Sequence, residues 1–253
     1  VYKRQNVLSN GGQTVAPPGS FNNEIGLPYT VLRCTEETDF LIAEMSARNI
    51  GHIAQLASIA PPHIGVVLNV GSAHLGEFGS RENIAQAKGE LIEALPEDGV
   101  AILNEDDDLV SSMAPRTGGR VVRFSADNAV APGQTRAEYF ATDIELDDVA
   151  RASFTMHSPA GEPQRVNLKV FGAHQVSNAL AAAAVGIESG LDAVTVARAL
   201  SNAHSVSVNR MDVNTRADGL TVINDAYNAN PDSMRAGICL LYTSDAADDL
   251  LCV

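Results

Sequence analysis

The chain has no tryptophan, only three cysteines, and 17 lysines and arginines against 31 aspartates and glutamates. A net charge of −14 leaves no basic stripe to release counterions from a phosphate backbone, which argues against a nucleic acid or an anionic membrane as partner. Nucleotide binding stays open, because it needs only a few placed groups. Cys239 and Cys252 lie in a C-terminal segment set aside below, and Cys34 alone cannot close an internal disulfide. A reducing, cytoplasmic setting is therefore expected. No apolar run approaches the roughly 20 residues that span a bilayer, and no signal peptide is visible. Few aromatics beside many alanine-rich helical stretches make a soluble α/β composition.

The two ends stand apart from the rest. Val1-Tyr2-Lys3-Arg4-Gln5 can be encoded by DNA whose reverse complement encodes Cys239-Leu240-Leu241-Tyr242. The ends thus read as one element in inverted orientation, similar to a transposase adapter left by sequencing-library preparation. Residues 1–5 and 239–253 are expected to be translated adapter, to be excluded from fold reasoning. The DNA of the native locus tests this expectation.

Between the ends, short apolar runs alternate with helical stretches. Phe40–Met45 and Ile64–Val70 read as buried parallel strands, followed by Val100–Leu103 and Val121–Phe124, with a helix over Glu82–Leu95. This alternation predicts a doubly wound, mostly parallel sheet. From Glu138 to Gly172 the pattern becomes alternating and turn-broken, which predicts a small antiparallel β insertion. An alanine-rich helix over Val176–Ser189, with Gly190 as its C-cap, precedes a second helix over Asp192–Leu200. After Asn209 a new strand, Leu220–Asn224, opens what reads as a second, Rossmann-like domain. The expected division is a central domain over 6–208 and the beginning of a C-terminal domain over 209–238.

The polar residues that interrupt these runs carry the chemistry. Gly19 to Pro28 (GSFNNEIGLP) places Asn22, Asn23 and Glu24 in a row, which suits neither a helix interior nor a central strand. It suits a loop that is either solvated or offers donors and acceptors to a polar ligand. Glu44 and Asn69 close the first two strands, and His74 follows in a turn. Open α/β sheets bind ligands at these carboxyl ends, so a carboxylate and an imidazole there form a plausible Mg²⁺ and phosphate setting. His74 taken alone reads first as a loop or capping histidine. Lys88 shares a helical stripe with Ile84, Leu91, Ile92 and Leu95. A lysine so placed must pair, snorkel or lose its proton, and a neutral amine can take up CO₂ as a carbamate. The run Asn104–Asp108 reads as a solvated acidic turn. His174 and Asn178 open the alanine helix, where anions and nucleotides are attracted, though Asn178 also reads as a simple polar first-turn residue. Asp225 with Tyr227 and Asn228 gathers a carboxylate, a phenol and an amide; Arg210 is an isolated cation suited to a transferring phosphate, although a surface arginine is the commoner finding.

Taken in order, GSFNNEIGLP at 19–28, EM at 44–45, NVGSAHLGEFGS at 69–80, AK at 87–88, GAHQVSNALAA at 172–182 and DAYNANPDSM at 225–234 resemble the Mur ligase family. The resemblance covers residues 6–238. It implies an ATP- and Mg²⁺-dependent amide ligase of peptidoglycan synthesis working through an acyl phosphate. The Phe-Asn-Asn-Glu-Ile-Gly and Tyr-Asn-Ala-Asn-Pro runs imply UDP-N-acetylmuramoyl-tripeptide and D-alanyl-D-alanine as substrates. By the same resemblance Glu44, His74 and carbamylated Lys88 would hold the metal. His174, Asn178, Asp225, Tyr227, Asn228 and Arg210 would meet the nucleotide, and Phe21, Asn22, Asn23 and Glu24 the peptidyl substrate. A monomer is expected.

Departures from the family pattern are Gln175 after His174, Asn209 before Arg210, and Ser46 and Asn49 in place of glycines. No G-x-x-x-x-G-K-[ST] phosphate loop occurs. The family has one shortly upstream, so this chain by itself is expected to be inactive. Two other readings remain open: a related ligase acting on a glutamate chain, like the folylpolyglutamate synthases, and a non-catalytic Mur-like binding protein.

Overall fold

The computed structural model describes residues 1–71, 75–127, 137–204, 212–218, 220–226, 234–235 and 237–238. In chain order the first half comprises α1 (Tyr2–Leu8), β1 (Thr14–Val15), α2 (Gly26–Val31), β2 (Phe40–Leu41), α3 (His52–Ile59), β3 (Ile64–Val67), α4 (Leu75–Phe78), α5 (Arg81–Glu93) and β4 (Val100–Asn104). Then follow α6 (Asp108–Ser111), a 3₁₀ turn at Ala114–Arg116, β5 (Arg120–Ser125), β6 (Tyr139–Leu146), β7 (Arg151–His157), β8 (Gln164–Phe171), α7 (Gln175–Glu188), α8 (Ala193–Asn202), β9 (Asp212–Thr215) and β10 (Thr221–Asn224).

The six strands β3 to β8 form one sheet in sequence order. Pairing is parallel from β3 to β6, with Val67 beside Leu103 and Leu103 beside Arg123. It turns antiparallel from β6 to β8. The antiparallel strands predicted from the alternating pattern are thus a continuation of the parallel sheet rather than a separate layer. β9 and β10 pair antiparallel in a ladder of their own.

Helices cover both faces, which explains why β4 is buried at four consecutive positions. On one face Ile102, Val122, Phe124, Tyr139 and Phe154 pack with the alanines of α7 and with α1 and α8. On the other, Ala101 and Leu103 pack with Ile84 and Ile92 of α5 and with Val110 of α6. Small side chains let α7 approach closely: a Cβ at Gly186 would lie 2.4 Å from Val7 Cγ1. α7 ends as its sequence predicts. Gly190 takes φ +94°, its N–H reaches the Ile187 carbonyl, and Leu191 N–H reaches that of Gly186, the two bonds of a Schellman stop. Tyr139, fully buried, donates to Glu188 Oε1 at 2.8 Å and ties β6 to that same end of α7.

One strand expectation needs correction. Only Phe40–Leu41 of the Phe40–Met45 run is a strand, and it pairs with Thr14–Val15 outside the large sheet. Among the run's first three residues only Ile42 is buried, and Leu41 is exposed. The stretch therefore flanks the core instead of crossing it. Similarly, the Ile64–Val70 run is a strand only to Val67, and its last three residues form a loop with side-chain partners.

Candidate functional site

The substrate-loop candidates fold around two asparagines with different partners. Asn23 Oδ1 accepts the backbone N–H of Ile25 at 3.2 Å and of Gly26 at 2.8 Å, an Asx turn that starts α2. Asn22 points the other way. Its Nδ2 donates to Glu44 Oε1 at 2.8 Å, and its main-chain carbonyl accepts the Ser46 N–H at 2.9 Å. The Ser46 hydroxyl also donates to Asn22. The GSFNNEIGLP loop is thereby fastened to the segment that follows β2. Phe21, 40% exposed, stacks on Tyr29 with ring centroids 5.3 Å apart, and Glu24 is exposed. Arg4 lies near Glu44; burial lowers the pKa of its guanidinium, while attraction to that carboxylate raises it.

Lys88 behaves as its place on the α5 stripe predicts. It turns inward, half-buried, and its Nζ donates to the Asn69 carbonyl at 2.5 Å. Burial lowers its pKa from the ordinary lysine value, and attraction to Asp107 partly offsets this. Lys88, Asn69 and Gly71 line a cavity of about 240 Å³ together with Met45, Ser46 and Ala47. The cavity therefore joins the segment tied to Asn22, the loop after β3, and α5.

Two further carboxylates hold the cavity walls, and the sequence reading missed both. Glu90 is 5% exposed; its two oxygens accept the N–H of Gly51 at 2.5 Å and of Ala54 at 3.0 Å, where α3 begins. Gly51 itself takes φ +95°, a conformation that favours glycine. The acidic run after β4 is a turn with Asp106 and Asp108 exposed, but several of its side chains have partners instead of only solvent. Asn104 Nδ2 donates to the Leu68 carbonyl at 2.8 Å. Asp107 Oδ2 accepts Val70 N–H at 2.8 Å, while its Oδ1 accepts Leu109 and Val110 N–H and caps α6. Asp106 accepts from the Ser125 hydroxyl and Ala126 N–H, and Glu105 pairs with Arg123 at 2.5 Å. With Arg81 donating to the Val70 carbonyl at 2.8 Å, the carbonyls of Leu68, Asn69 and Val70 each receive a side-chain donor. The signal available was Asn and Asp at a parallel strand's carboxyl end, where such bridging is possible, but the partners are 36 and 37 residues away.

At the N-terminus of α7 a second polar group assembles. Lys3 Nζ donates to Gln175 Oε1 at 2.5 Å, and burial lowers the Lys3 pKa to about 8. Asn178 Nδ2 reaches the same Gln175 oxygen at 3.4 Å. Burial and the charge of Lys3 hold the His174 imidazole below its ordinary value, with Asp225 opposing. Three predicted nucleotide residues, His174, Asn178 and Asp225, are therefore neighbours of one cluster. His74, Arg210, Tyr227 and Asn228 lie outside the described residues.

Oxygen chemistry fits a magnesium site in part: Glu44 is a hard carboxylate of the kind that binds Mg²⁺ with waters and phosphate oxygens. Among the described residues no group of three His, Cys, Asp or Glu side chains could hold a metal. Among them, too, no helix is long and apolar enough to cross a membrane.

Known proteins resemble this chain in sequence and in fold. The UDP-N-acetylmuramoyl-tripeptide–D-alanyl-D-alanine ligase of Mycobacterium tuberculosis is 57% identical over 232 residues, 92% of this chain and 44% of that protein. A crystal structure of MurF from Acinetobacter baumannii matches with a TM-score of 0.87 at 32% identity, covering 96% of this chain and 51% of that one. MurF from Thermotoga maritima in complex with ADP matches with a TM-score of 0.82 at 28% identity, covering 96% and 53%. This chain thus spans about half the length of such relatives. Residues 4–186 match the Mur ligase middle domain, and the chain belongs to the Mur ligase family.

Proposed function

We propose that the complete protein is an ATP-dependent ligase that joins D-alanyl-D-alanine to UDP-N-acetylmuramoyl-tripeptide in peptidoglycan synthesis. The observation that carries this reading is the Asn22–Glu44 bond. It places the Phe-Asn-Asn-Glu-Ile-Gly loop against the segment bordering the Lys88 cavity, in a chain 57% identical to such a ligase. In the reaction a carboxylate oxygen of the tripeptide attacks the γ-phosphorus of ATP and ADP leaves. The dipeptide amine then attacks the acyl carbon; the C–N bond forms, the C–O bond to phosphate breaks, and the amine loses its proton.

Each residue has a part in that scheme. Phe21, Asn22, Asn23 and Glu24 border the peptidyl substrate. Glu44 and His74, with carbamylated Lys88, would hold Mg²⁺, which when bound supplies charge neutralisation at the transferring phosphoryl group. His174, Asn178 and Asp225 take the adenosine end, joined by Tyr227 and Asn228, and Arg210 meets the phosphates. What the fold contributes is positioning, which in phosphoryl and acyl transfer is a large share of catalysis.

The test is an assay of the complete protein with ATP, the tripeptide nucleotide and D-alanyl-D-alanine. One amide and one phosphate per ATP are expected, and none with glutamate as acceptor. Amide formation with glutamate, or no amide at all, overturns the reading. Lys88→Ala should be inactive and regain activity with added short-chain acids, which replace the carbamate. Absence of recovery would leave Lys88 as a packed lysine.

A further inference from the structure

We propose that Asp107 is a positioning residue for Lys88, acting through the Asn69–Val70 peptide. Its carboxylate is shared between two jobs. Oδ1 receives two N–H groups of α6 at 3.1 Å each, which fixes the side chain from below. Oδ2 receives the Val70 N–H at 2.8 Å. The peptide nitrogen of Val70 belongs to the same planar unit as the Asn69 carbonyl, so holding one end of the plane aims the other. That carbonyl is the acceptor on which the Lys88 ammonium rests at 2.5 Å.

The arrangement is rigid because neighbouring bonds pin the same loop: Asn104 holds Leu68 and Arg81 holds the Val70 carbonyl. Of these, only the Asp107 bond fixes the peptide plane whose oxygen meets Lys88. The strands beneath, β3 and β4, are paired in register from Ile64–Val100 to Val67–Leu103, so the two loops leave the sheet side by side. Asp107 therefore carries the geometry of a paired strand end to the lysine that lines the cavity.

Asp107→Ser separates the two jobs, since serine still caps a helix but is too short to reach Val70. Asp107→Asn serves should the serine variant not fold. It is isosteric and an equally good cap, yet with Oδ1 kept on α6 it presents an amide to the Val70 N–H. Two measurements on the 253-residue chain read the effect. Hydrogen exchange of the Val70 amide should speed up by about tenfold or more as its acceptor is lost. Trace acetylation of Lys88, relative to Lys3 and Lys169 and compared as the pH-independent rate constant of the neutral amine so that the direct pull of the Asp107 charge drops out, should change by about tenfold once the Asn69 carbonyl is released. Unchanged exchange or unchanged Lys88 labelling overturns the proposal.

A third measurement rests on the ligase reading above. In the complete protein, either variant should lose about tenfold or more in kcat, with KM values within about twofold, as expected when a reacting group is misaligned without loss of binding. A kcat equal to wild type overturns the role. Wild-type protein that makes no amide brings down the ligase reading instead, and the exchange and labelling results still decide on Asp107.

Discussion

Asn22 donates to Glu44 at 2.8 Å across 22 residues of chain, so the loop that opens α2 and the end of the β2 run are one structural unit. A hydrogen bond to a carboxylate contributes more than a neutral one. A double-mutant cycle of Asn22→Ala and Glu44→Ala, followed by urea unfolding, should give a coupling energy of about 1 kcal/mol or more. Additive effects would show that the two side chains act independently. Asn22→Asp should be worse than Asn22→Ala, because it sets two carboxylates face to face.

Glu90 predicts a larger effect on stability. Glu90→Ala leaves the N–H groups of Gly51 and Ala54 without their acceptor beneath α5. The expected loss is about 2–4 kcal/mol in urea unfolding. Glu90→Gln keeps one acceptor oxygen and should fall between alanine and wild type. A neutral Glu90→Ala would mean that water replaces the carboxylate.

Gly89 yields a prediction in which the sign reverses with background. Alanine is normally favoured over glycine inside a helix by about 1 kcal/mol. Here a Cβ would sit 1.6 Å from Arg116 Nη1. The guanidinium that occupies this space bonds Glu93 and the carbonyls of Ala85 and Gln86. Gly89→Ala should therefore destabilise the wild type by about 1–2 kcal/mol and stabilise an Arg116→Ala variant by about 1 kcal/mol. Thermal unfolding of the four proteins reads this directly, and the same sign in both backgrounds contradicts it.

Although residues 1–5 are expected to be adapter, Lys3 is folded into α1 in this chain, and it makes stability depend on pH in the alkaline range. Burial lowers its folded pKa to about 8, from 10.5. Between these values the unfolded chain holds a proton that the folded one has released, so stability rises with pH through the window; below pH 8 the cost of the buried charge is borne in full. Lys3→Met should be more stable than wild type at pH 7, with the difference shrinking towards pH 10.5. A difference that does not vary with pH would show that Lys3 stays charged in the fold.

Much of this architecture was legible because it depends on local pattern. The apolar spacing around Lys88, the alanine run ending at Gly190 and the alternation over 152–157 each report their own element. Lys88 was legible for the same reason: a charge on an apolar stripe has few places to go. Asn104 and Asp107 were not, because a carboxylate in a row of acids looks solvated until its distant partners, Leu68 and Val70, are known. Glu90 hid in the same way, as a polar letter on a helix whose burial is wider than a single stripe. Phe40–Met45 looked like a core strand by composition, yet its pairing with Thr14–Val15 is decided by tertiary placement, which apolar content alone does not encode.

Helix α5 presents Lys88 to the loop after β3 and, two residues on, Glu90 to the start of α3. Because both bonds originate within a single turn of one rod, the two walls of the cavity share a single mechanical reference. Any ligand that levers one wall outward must also rotate the helix and load the other, which makes the width of the cavity a collective property of the domain instead of a property of either loop.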